Sequence, residues 1–378
     1  MRVLKRLTVL YTVIIMVRRS PGMPLDSRKK LILQAIVDDY IETAEPIASK
    51  ALVTKLDMKV SSATVRNEMA ELETLGYLEQ PHTSAGRIPS DKGYREYVDS
   101  LMHVDELSPE DAKEISNRIS SSFDELKGLL RKASGALAEQ TGYMSLALTP
   151  RFHKSYLTQL KMLMIEPGKV LVVVVLSAGV VKDRVARVPD FLSQDQLYQI
   201  SNAIEAGLCG KSLEEITLVT VTSAVKNSPV PESLLNQILY ETYTSIKQAD
   251  NLEVYMDGTN HMLSFPEFHN NSSARGLFDT LSKDGVIAGY LNEFGGTGES
   301  GETPKYMIRI GQEIQLEGLR DCSFITTTYN VGDKVAGNIG VIGPKRMDYS
   351  KVISQISFVR RTINDQINGL KDINEGVD

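Results

Sequence analysis

One short segment, which follows Ser61 and Ser62, carries side chains whose types and spacing suit contacts with DNA bases. Its apolar residues recur at the spacing of a buried helical stripe: Val65, Met69 and Leu72. Away from that stripe the side chains are small or polar: Ala63, Thr64, Arg66, Asn67 and Ala70. Small side chains let a helix backbone approach bases closely. The pattern therefore predicts a helix whose outer face can enter the major groove of DNA.

Arg66 and Asn67 are the main candidates for contacts with bases. A guanidinium matches the O6 and N7 atoms of guanine, a carboxamide matches the N6 and N7 atoms of adenine, and a methyl group such as that of Ala63 packs on thymine. Ser62 and Thr64 lie near the helix start, where hydroxyls and backbone N–H groups bind phosphate. The alternative is an ordinary solvent-facing helix, since exposed Arg and Asn occur on most protein surfaces.

A turn-rich stretch at residues 81–86 follows this helix and predicts a small β-hairpin. Residues 82–88 contain no acidic side chain, which favours contact with phosphates. The candidate contact residues of the hairpin are His82, Thr83, Ser84, Gly86 and Arg87. Helices are predicted from Asp26, after Pro46 and from Ser61, before the hairpin, and from Ser90 after it. This is the element order of a winged helix-turn-helix domain.

Beyond residue 103 the pattern predicts a mixed region of helices and strands. One long amphipathic helix should run from Pro109 to about Leu137. Two antiparallel strands at 171–176 and 180–188 precede a mostly helical stretch at 191–270. Strand-like runs then follow at 306–310, 322–329 and 337–342, and a last helix begins at about Tyr349. A strand set interrupted by helices predicts an α+β domain that carries an insertion.

Composition and charge limit the possible classes of protein. The 378 residues, 42% hydrophobic and 24% charged, suit two or three globular domains. Two cysteines cannot build a disulfide framework or a thiolate metal cage, and five scattered histidines indicate no metal site. The formal charge of −6 argues against wholesale coating of nucleic acid, but it permits one local contact surface.

The sequence does not match an enzyme motif. Gly296, Gly298 and Gly301 satisfy G-x-G-x-x-G, but the pattern leads into strand-like residues, whereas dinucleotide binding requires a helix there. A P-loop lysine, a G-x-S-x-G motif and an H-E-x-x-H motif are all missing. We therefore expect no catalytic activity and no cofactor.

The first 22 residues differ from the rest in charge. They carry five basic and no acidic residues around the apolar run Leu7–Val17. This run imitates a secretory signal, but Arg18, Arg19, Ser20 and Pro21 do not form a small-residue cleavage site. It is also shorter than the roughly 20 residues that span a bilayer. We interpret 1–22 as a non-structural extension or a start codon assigned too early; true export is the alternative.

Five strings of residues resemble those of one protein family. They are 60–69 (VSSATVRNEM), 75–78 (LGYL), 81–89 (PHTSAGRIP), 93–99 (GYREYVD) and 342–349 (IGPKRMDY). The string at 81–89 is long and highly specific, and agreement in order extends over essentially Asp26 to Leu370. The chain thus resembles the family of bacterial heat-inducible transcription repressors called HrcA.

The resemblance implies an α+β multidomain fold. Residues 23–103 would form a winged helix-turn-helix domain that binds DNA. Residues 104–190 and 271–378 would form a GAF-like domain with a connecting helix, and 191–270 an inserted dimerisation domain. Residues 1–22 lie outside the family pattern.

The resemblance also implies a function, that of a cytoplasmic homodimer without a membrane partner. It would bind a double-stranded inverted-repeat operator, called CIRCE, ahead of operons for the GroE chaperonin and the DnaK machinery. A GroE-type chaperonin would maintain the active repressor, and heat stress would lower its level. Two alternatives stay open: a regulator whose GAF-like domain senses a small ligand, and a chaperonin-dependent scaffold without a DNA role.

Overall fold

The computed structural model describes residues 25–56, 60–82, 85–119, 126–152, 154–177, 180–226, 232–293, 306–331 and 335–375. The segment 1–22 lies outside these ranges. The helices are α1 (Ser27–Thr43), α2 (Ser49–Leu56), α3 (Ser62–Thr74), α4 (Asp91–Glu96), α5 (Pro109–Ile119), α6 (Leu126–Thr141), α7 (Gln194–Leu208), α8 (Leu218–Ala224), α9 (Glu232–Gln248), α10 (Asn271–Leu281), α11 (Asp284–Glu293) and α12 (Tyr349–Glu375). The strands are β1 (Leu78–Glu79), β2 (Ile88–Pro89), β3 (Met144–Leu148), β4 (Leu157–Glu166), β5 (Lys169–Leu176), β6 (Val181–Arg187), β7 (Val254–Asp257), β8 (Met307–Ile310), β9 (Cys322–Val331) and β10 (Val335–Pro344).

The N-terminal unit (residues 27–101) consists of α1 to α4, the β1–β2 hairpin and a π-helical turn at Tyr97–Leu101. Helices α1 and α3 begin where the sequence predicts caps. The Asp26 carboxylate accepts a hydrogen bond from Lys29 N at 2.8 Å, and the Ser61 hydroxyl accepts one from Thr64 N at 3.1 Å. These bonds satisfy N–H groups that have no partner within the first turn of a helix.

A five-stranded antiparallel sheet of order β7-β3-β10-β9-β8 forms the centre of the molecule. Alternate residues of each strand face opposite sides. Ile325 and Val341 pack in the apolar cluster that includes α6 and α12. Phe324 and Ile342 pack in a second cluster, with α10 and α11. The sheet is therefore buried on both faces, and the predicted strands at 306–310, 322–329 and 337–342 are confirmed.

A second, three-stranded antiparallel sheet, of order β4-β5-β6, belongs to a separate insertion unit (residues 157–248). Its inner face, which includes Val170, Val172 and Val174, is buried, and α7 packs on β4 while α9 packs on β5 and β6. The unit leaves the central sheet after β3 and returns at β7, the strand that pairs with β3.

This connectivity differs from the expected insertion at 191–270. The strand pair predicted at 171–176 and 180–188 is present and antiparallel, but it pairs with β4 in the insertion unit and not with the central sheet. Residues 254–257, expected within the insertion, form an edge strand of the central sheet. The borders of the insertion unit are set by the pairing of β3 with β7, which lie more than 100 residues apart. Local periodicity in the sequence does not reveal such a distant pairing.

The predicted long helix from Pro109 to Leu137 is also corrected. The structure has two helices, α5 and α6, that pack against each other. Arg118 Nη2 donates to Glu139 Oε1 at 2.7 Å. In one continuous helix these residues would stand about 30 Å apart along the axis, at ~1.5 Å per residue. The chain therefore reverses direction between them.

Glu253 connects α6 and the insertion unit to the central sheet. It bonds Lys127 of α6 at 2.9 Å, Lys182 of β6 at 3.1 Å and the Tyr255 hydroxyl at 2.5 Å. Burial alone would raise its pKa, but the hydrogen bonds from Tyr255, Lys127 and Lys182 lower the pKa of Glu253 to about 2.

Glu253→Gln should therefore destabilise the protein by about 1 kcal/mol at neutral pH, a modest value because the carboxylate is partly exposed. A carboxylate with a lowered pKa stabilises the fold above its ordinary pKa of 4.5, and the effect is lost as pH falls toward about 2. Thermal unfolding should thus show a difference from the wild type at pH 7 that shrinks below pH 4.5. The exposed Glu214→Gln serves as control; an equal shift in both variants would contradict this account.

Candidate nucleic-acid interface

The outer face of α3 presents the side chains that the sequence predicts. Val65 and Leu72 are fully buried and Met69 is nearly so, which confirms the predicted apolar stripe. The remaining candidates are exposed, except Thr64, which is half-buried: Ser62, Ala63, Thr64, Arg66, Asn67. A helix face of this kind is free to approach a large ligand, because no other part of the described chain covers it.

Two sets of interactions hold α3 in place from its inner side. At its start, the Ser61 and Thr64 hydroxyl oxygens lie 3.0 Å apart, so Thr64 takes part in the helix cap. From α1, Lys29 Nζ lies 2.9 Å from Asp26, 2.9 Å from Glu68 and 3.0 Å from Glu71. Hydrogen bonds to these carboxylates, that to Asp26 first, raise the pKa of Lys29. Glu68 and Glu71 of α3 thus connect to α1.

The cations beside the outer face differ in how far they are engaged. Within the described part of the chain, Arg66 forms no ion pair. Arg28 of α1, whose side chain is half exposed, lies 3.5 Å from Glu68, the carboxylate that also binds Lys29. Sequence reasoning missed Arg28, because it lies 40 residues before Glu68 and no local spacing connects them.

The hairpin after α3 is confirmed as an antiparallel pair, with Leu78 opposite Pro89 and Glu79 opposite Ile88. Ile47, before α2, forms an isolated antiparallel bridge with the hairpin: Ile47 N donates to Arg87 O at 3.1 Å and Arg87 N donates to Ile47 O at 2.9 Å. His82 is exposed near the tip. Thr83 and Ser84 lie outside the described residues.

Arg87 has a different environment from the one expected for a phosphate contact. Its Nε lies 2.8 Å from Glu73 Oε2, and only 19% of its side chain is exposed. Because Glu73 belongs to α3, this ion pair joins the hairpin to the helix. The predicted contact of Arg87 with phosphate stays a prediction, and His82 is the described hairpin candidate that is exposed.

Gly86 allows the close approach between the hairpin and Ile47. A Cβ atom at Gly86 would lie 2.2 Å from Ile47 O, a distance that side chains do not tolerate. Gly86→Ala should therefore separate the hairpin from Ile47 and destabilise the protein by about 1–3 kcal/mol. Gly289→Ala in α11, where a Cβ would meet nothing within 4 Å, is the matched control and should be neutral or stabilising. Equal melting temperatures for Gly86→Ala and wild type would disprove the proposed clash.

The structure also bears on the glycine motif, on metal sites and on membrane-spanning helices. The glycines of the G-x-G-x-x-G pattern, Gly296, Gly298 and Gly301, lie outside the described residues. Over the ranges that the structure covers, no three His, Cys, Asp or Glu side chains are arranged to hold a metal ion. In those same ranges, no helix combines the length and the apolar character needed to cross a membrane.

Comparison with known proteins adds three findings. Residues 127–353 match the family described as HrcA protein C terminal domain. A heat-inducible transcription repressor HrcA of Ruminiclostridium cellulolyticum is 41% identical over 351 residues, which cover 93% of this chain and 99% of that protein. The corresponding protein of Acetivibrio thermocellus is 39% identical, over 92% of this chain and 98% of its own length.

A solved structure also shares the fold. The crystal structure of a hypothetical protein at 2.2 Å resolution superposes with a TM-score of 0.61 at 21% identity, over 92% of this chain and 99% of that one. The family match extends over more than half of the chain, and the relatives align over nearly their whole length. The chain therefore belongs to the HrcA family of heat-inducible transcription repressors.

Proposed function

We propose that this repressor binds, as a homodimer, an inverted-repeat operator of the CIRCE type ahead of chaperone operons. In this proposal the N-terminal unit is a winged helix-turn-helix domain, in which α3 enters the major groove and the β1–β2 hairpin lies against the backbone. The central sheet with its helices is the GAF-like domain, and the insertion unit is the dimerisation domain.

The observation that supports DNA recognition most strongly is the contrast between the two sides of α3. The inner side is anchored by Val65 and Leu72 and by the carboxylates that bind Lys29. The outer side leaves Ala63, Arg66 and Asn67 exposed. Ser62 and Thr64 stand at the helix start, where N–H groups favour a phosphate, and His82 and Gly86 belong to the hairpin beside it. An anchored helix with an uncovered Arg and Asn provides the donors and acceptors that the major groove requires.

The outer face of the three-stranded sheet is the proposed dimer surface. Leu163, Leu171 and Val185 stand in register across β4, β5 and β6, and Leu163 and Val185 are each more than half exposed. Such an apolar sheet face is unusual on a monomer and suits packing against an identical face.

Charge at this face favours one arrangement of the two copies. Lys161 and Asp183 lie in register on either side of Val173, and Lys161 Nζ also pairs with Glu205 of α7 at 2.6 Å. A two-fold axis parallel to β5 would bring Lys161 of each copy opposite Asp183 of the other, whereas an axis across the strands would oppose like charges. The proposed dimer therefore has parallel central strands across the interface.

The proposed control by heat follows from this dimeric mode of binding. Two half-site contacts act together, so losing the folded dimer removes both at once, and a modest loss of stability becomes a large loss of operator occupancy. A GroE-type chaperonin in the cytoplasm would maintain the active repressor. Misfolded proteins that occupy the chaperonin during heat stress would then lower repression.

The test is a footprint of the purified protein on the chaperone promoters of its own genome, with and without chaperonin. The proposal predicts protection of an inverted repeat, stronger after folding with chaperonin. Protection that is absent under both conditions would contradict DNA recognition, and protection that chaperonin does not change would contradict the control mechanism alone.

A further inference from the structure

A cluster of ion pairs joins the N-terminal unit to the central domain, which is the five-stranded sheet with its helices, and the proposed DNA contacts do not involve this cluster. Arg95 of α4 donates from Nε to Glu313 at 2.9 Å and from Nη2 to Ile308 O at 2.8 Å. It also pairs within the N-terminal unit with Asp99 at 3.2 Å. The Arg95 guanidinium thus binds a carboxylate and a carbonyl of the central domain at the same time. Two directional contacts of one planar group fix both the distance and the angle between α4 and the central domain.

Asp91, at the start of α4, makes a second connection. It accepts hydrogen bonds from Gln312 N at 2.9 Å and from Lys345 Nζ at 2.8 Å. Gly311 has φ of +54°, and a Cβ there would lie 2.1 Å from the Asp91 carboxylate. Only glycine therefore allows Asp91 to approach the turn that carries Gln312.

Arg346 makes a third connection, from the central domain back to α1. Its Nε donates to Glu267 at 2.6 Å, its Nη1 to Ile41 O at 3.4 Å, and its guanidinium stands 5.6 Å from the centre of the Phe265 ring. Lys345 and Arg346 belong to the string 342–349, and Arg95 to the string 93–99. The junction formed by these ion pairs thus contains residues of two of the strings that resemble the family.

The junction is mechanically connected to α3. Lys92, in the same helix as Asp91 and Arg95, donates to Leu75 O at 2.7 Å, and the Ser90 hydroxyl donates to Gly76 O at 2.6 Å. Leu75 and Gly76 follow directly on α3. Helix α4, which binds the central domain, therefore also holds the C-terminal end of α3.

We propose that Asp91, Arg95, Glu313 and Lys345 are positioning residues that set the orientation of α3 relative to the dimer. This inference rests on the proposed function, since it concerns a dimer that binds two half-sites. The distance between the two α3 helices of a dimer depends on how each N-terminal unit is oriented on the central domain of its own chain. Partly exposed ion pairs contribute little to stability, but they are directional. An apolar contact would let the N-terminal unit slide on the central domain, whereas these ion pairs select one orientation of the unit.

The test compares the full-length variants Glu313→Gln and Lys345→Gln with wild type on three kinds of duplex. These are the inverted-repeat operator, the same operator with one or two base pairs inserted between or deleted from its half-sites, and a single half-site. Fluorescence anisotropy gives each affinity. Glu317→Gln and Lys351→Gln, whose side chains are exposed, are the matched controls for the same changes of charge.

We expect both junction variants to bind the operator about 10- to 100-fold more weakly, because avidity depends on geometry, and to bind the single half-site as wild type does. They should also tolerate changed half-site spacing better than wild type. Sedimentation and thermal unfolding check that they remain folded dimers. Unchanged operator affinity and spacing preference, or equal losses on operator and half-site, would overturn the positioning role. If wild type itself shows no preference for the inverted repeat, the proposed function fails instead.

Discussion

Replacing Arg66 by alanine should weaken binding to the operator by about 1–3 kcal/mol, or roughly 5- to 150-fold, and should hardly change binding to random DNA. The guanidinium is exposed on the outer face of α3 and forms no ion pair within the described chain, so its donors are available for a base. Since Arg66 is exposed, the fold should be unaffected. Anisotropy titrations on operator and random duplexes at one salt concentration measure both effects.

The exposed Arg320→Ala, in the central domain, is the control for the loss of one positive charge. It should leave both affinities near their wild-type values. Equal weakening of Arg66→Ala on operator and random DNA would show that Arg66 contacts phosphate and not a base. An unchanged operator affinity would remove Arg66 from the interface.

Introducing charge on the outer face of the three-stranded sheet should have a still larger effect. The double variant Leu163→Asp, Val185→Asp places two carboxylates on a face proposed to be buried between copies. The protein should become monomeric and lose operator affinity by about 100-fold or more, because the second half-site contact is no longer linked to the first. Sedimentation velocity reports the oligomeric state, and anisotropy reports the affinity.

Val219→Asp is the matched control, because Val219 lies in the same insertion unit and is 74% exposed on α8, away from the sheet. It should remain dimeric. A double variant that sediments as wild type does would place the dimer surface elsewhere in the molecule, even if the chain still binds an inverted repeat.

The elements that follow local chemistry were predictable from the sequence. Asp26 and Ser61 mark helix starts by side-chain capping, and the spacing of Val65, Met69 and Leu72 identifies the buried side of α3. With the buried side known, the exposed position of Arg66 and Asn67 follows from helix geometry alone. Their role in binding DNA is a proposal that these positions support.

The features that depend on distant partners were not predictable. Ile47 follows Pro46, which suits a helix start, but it pairs with Arg87, 40 residues later, and α2 begins only at Ser49. Arg87 is basic and lies in an acid-free stretch, yet Glu73 engages its guanidinium. The borders of the insertion unit depend on the pairing of β3 with β7. No local pattern contains these pairings.

The central claim is that two copies of α3, presented by one symmetric dimer, recognise an inverted repeat. A titration of the chaperonin-folded, full-length protein against the operator duplex and against a duplex with one half-site scrambled tests this most directly. The account predicts two chains per operator, with an affinity at least about 1,000-fold above that for random DNA, and a large loss on the scrambled duplex. Equal affinity for the intact and the scrambled duplex would contradict it.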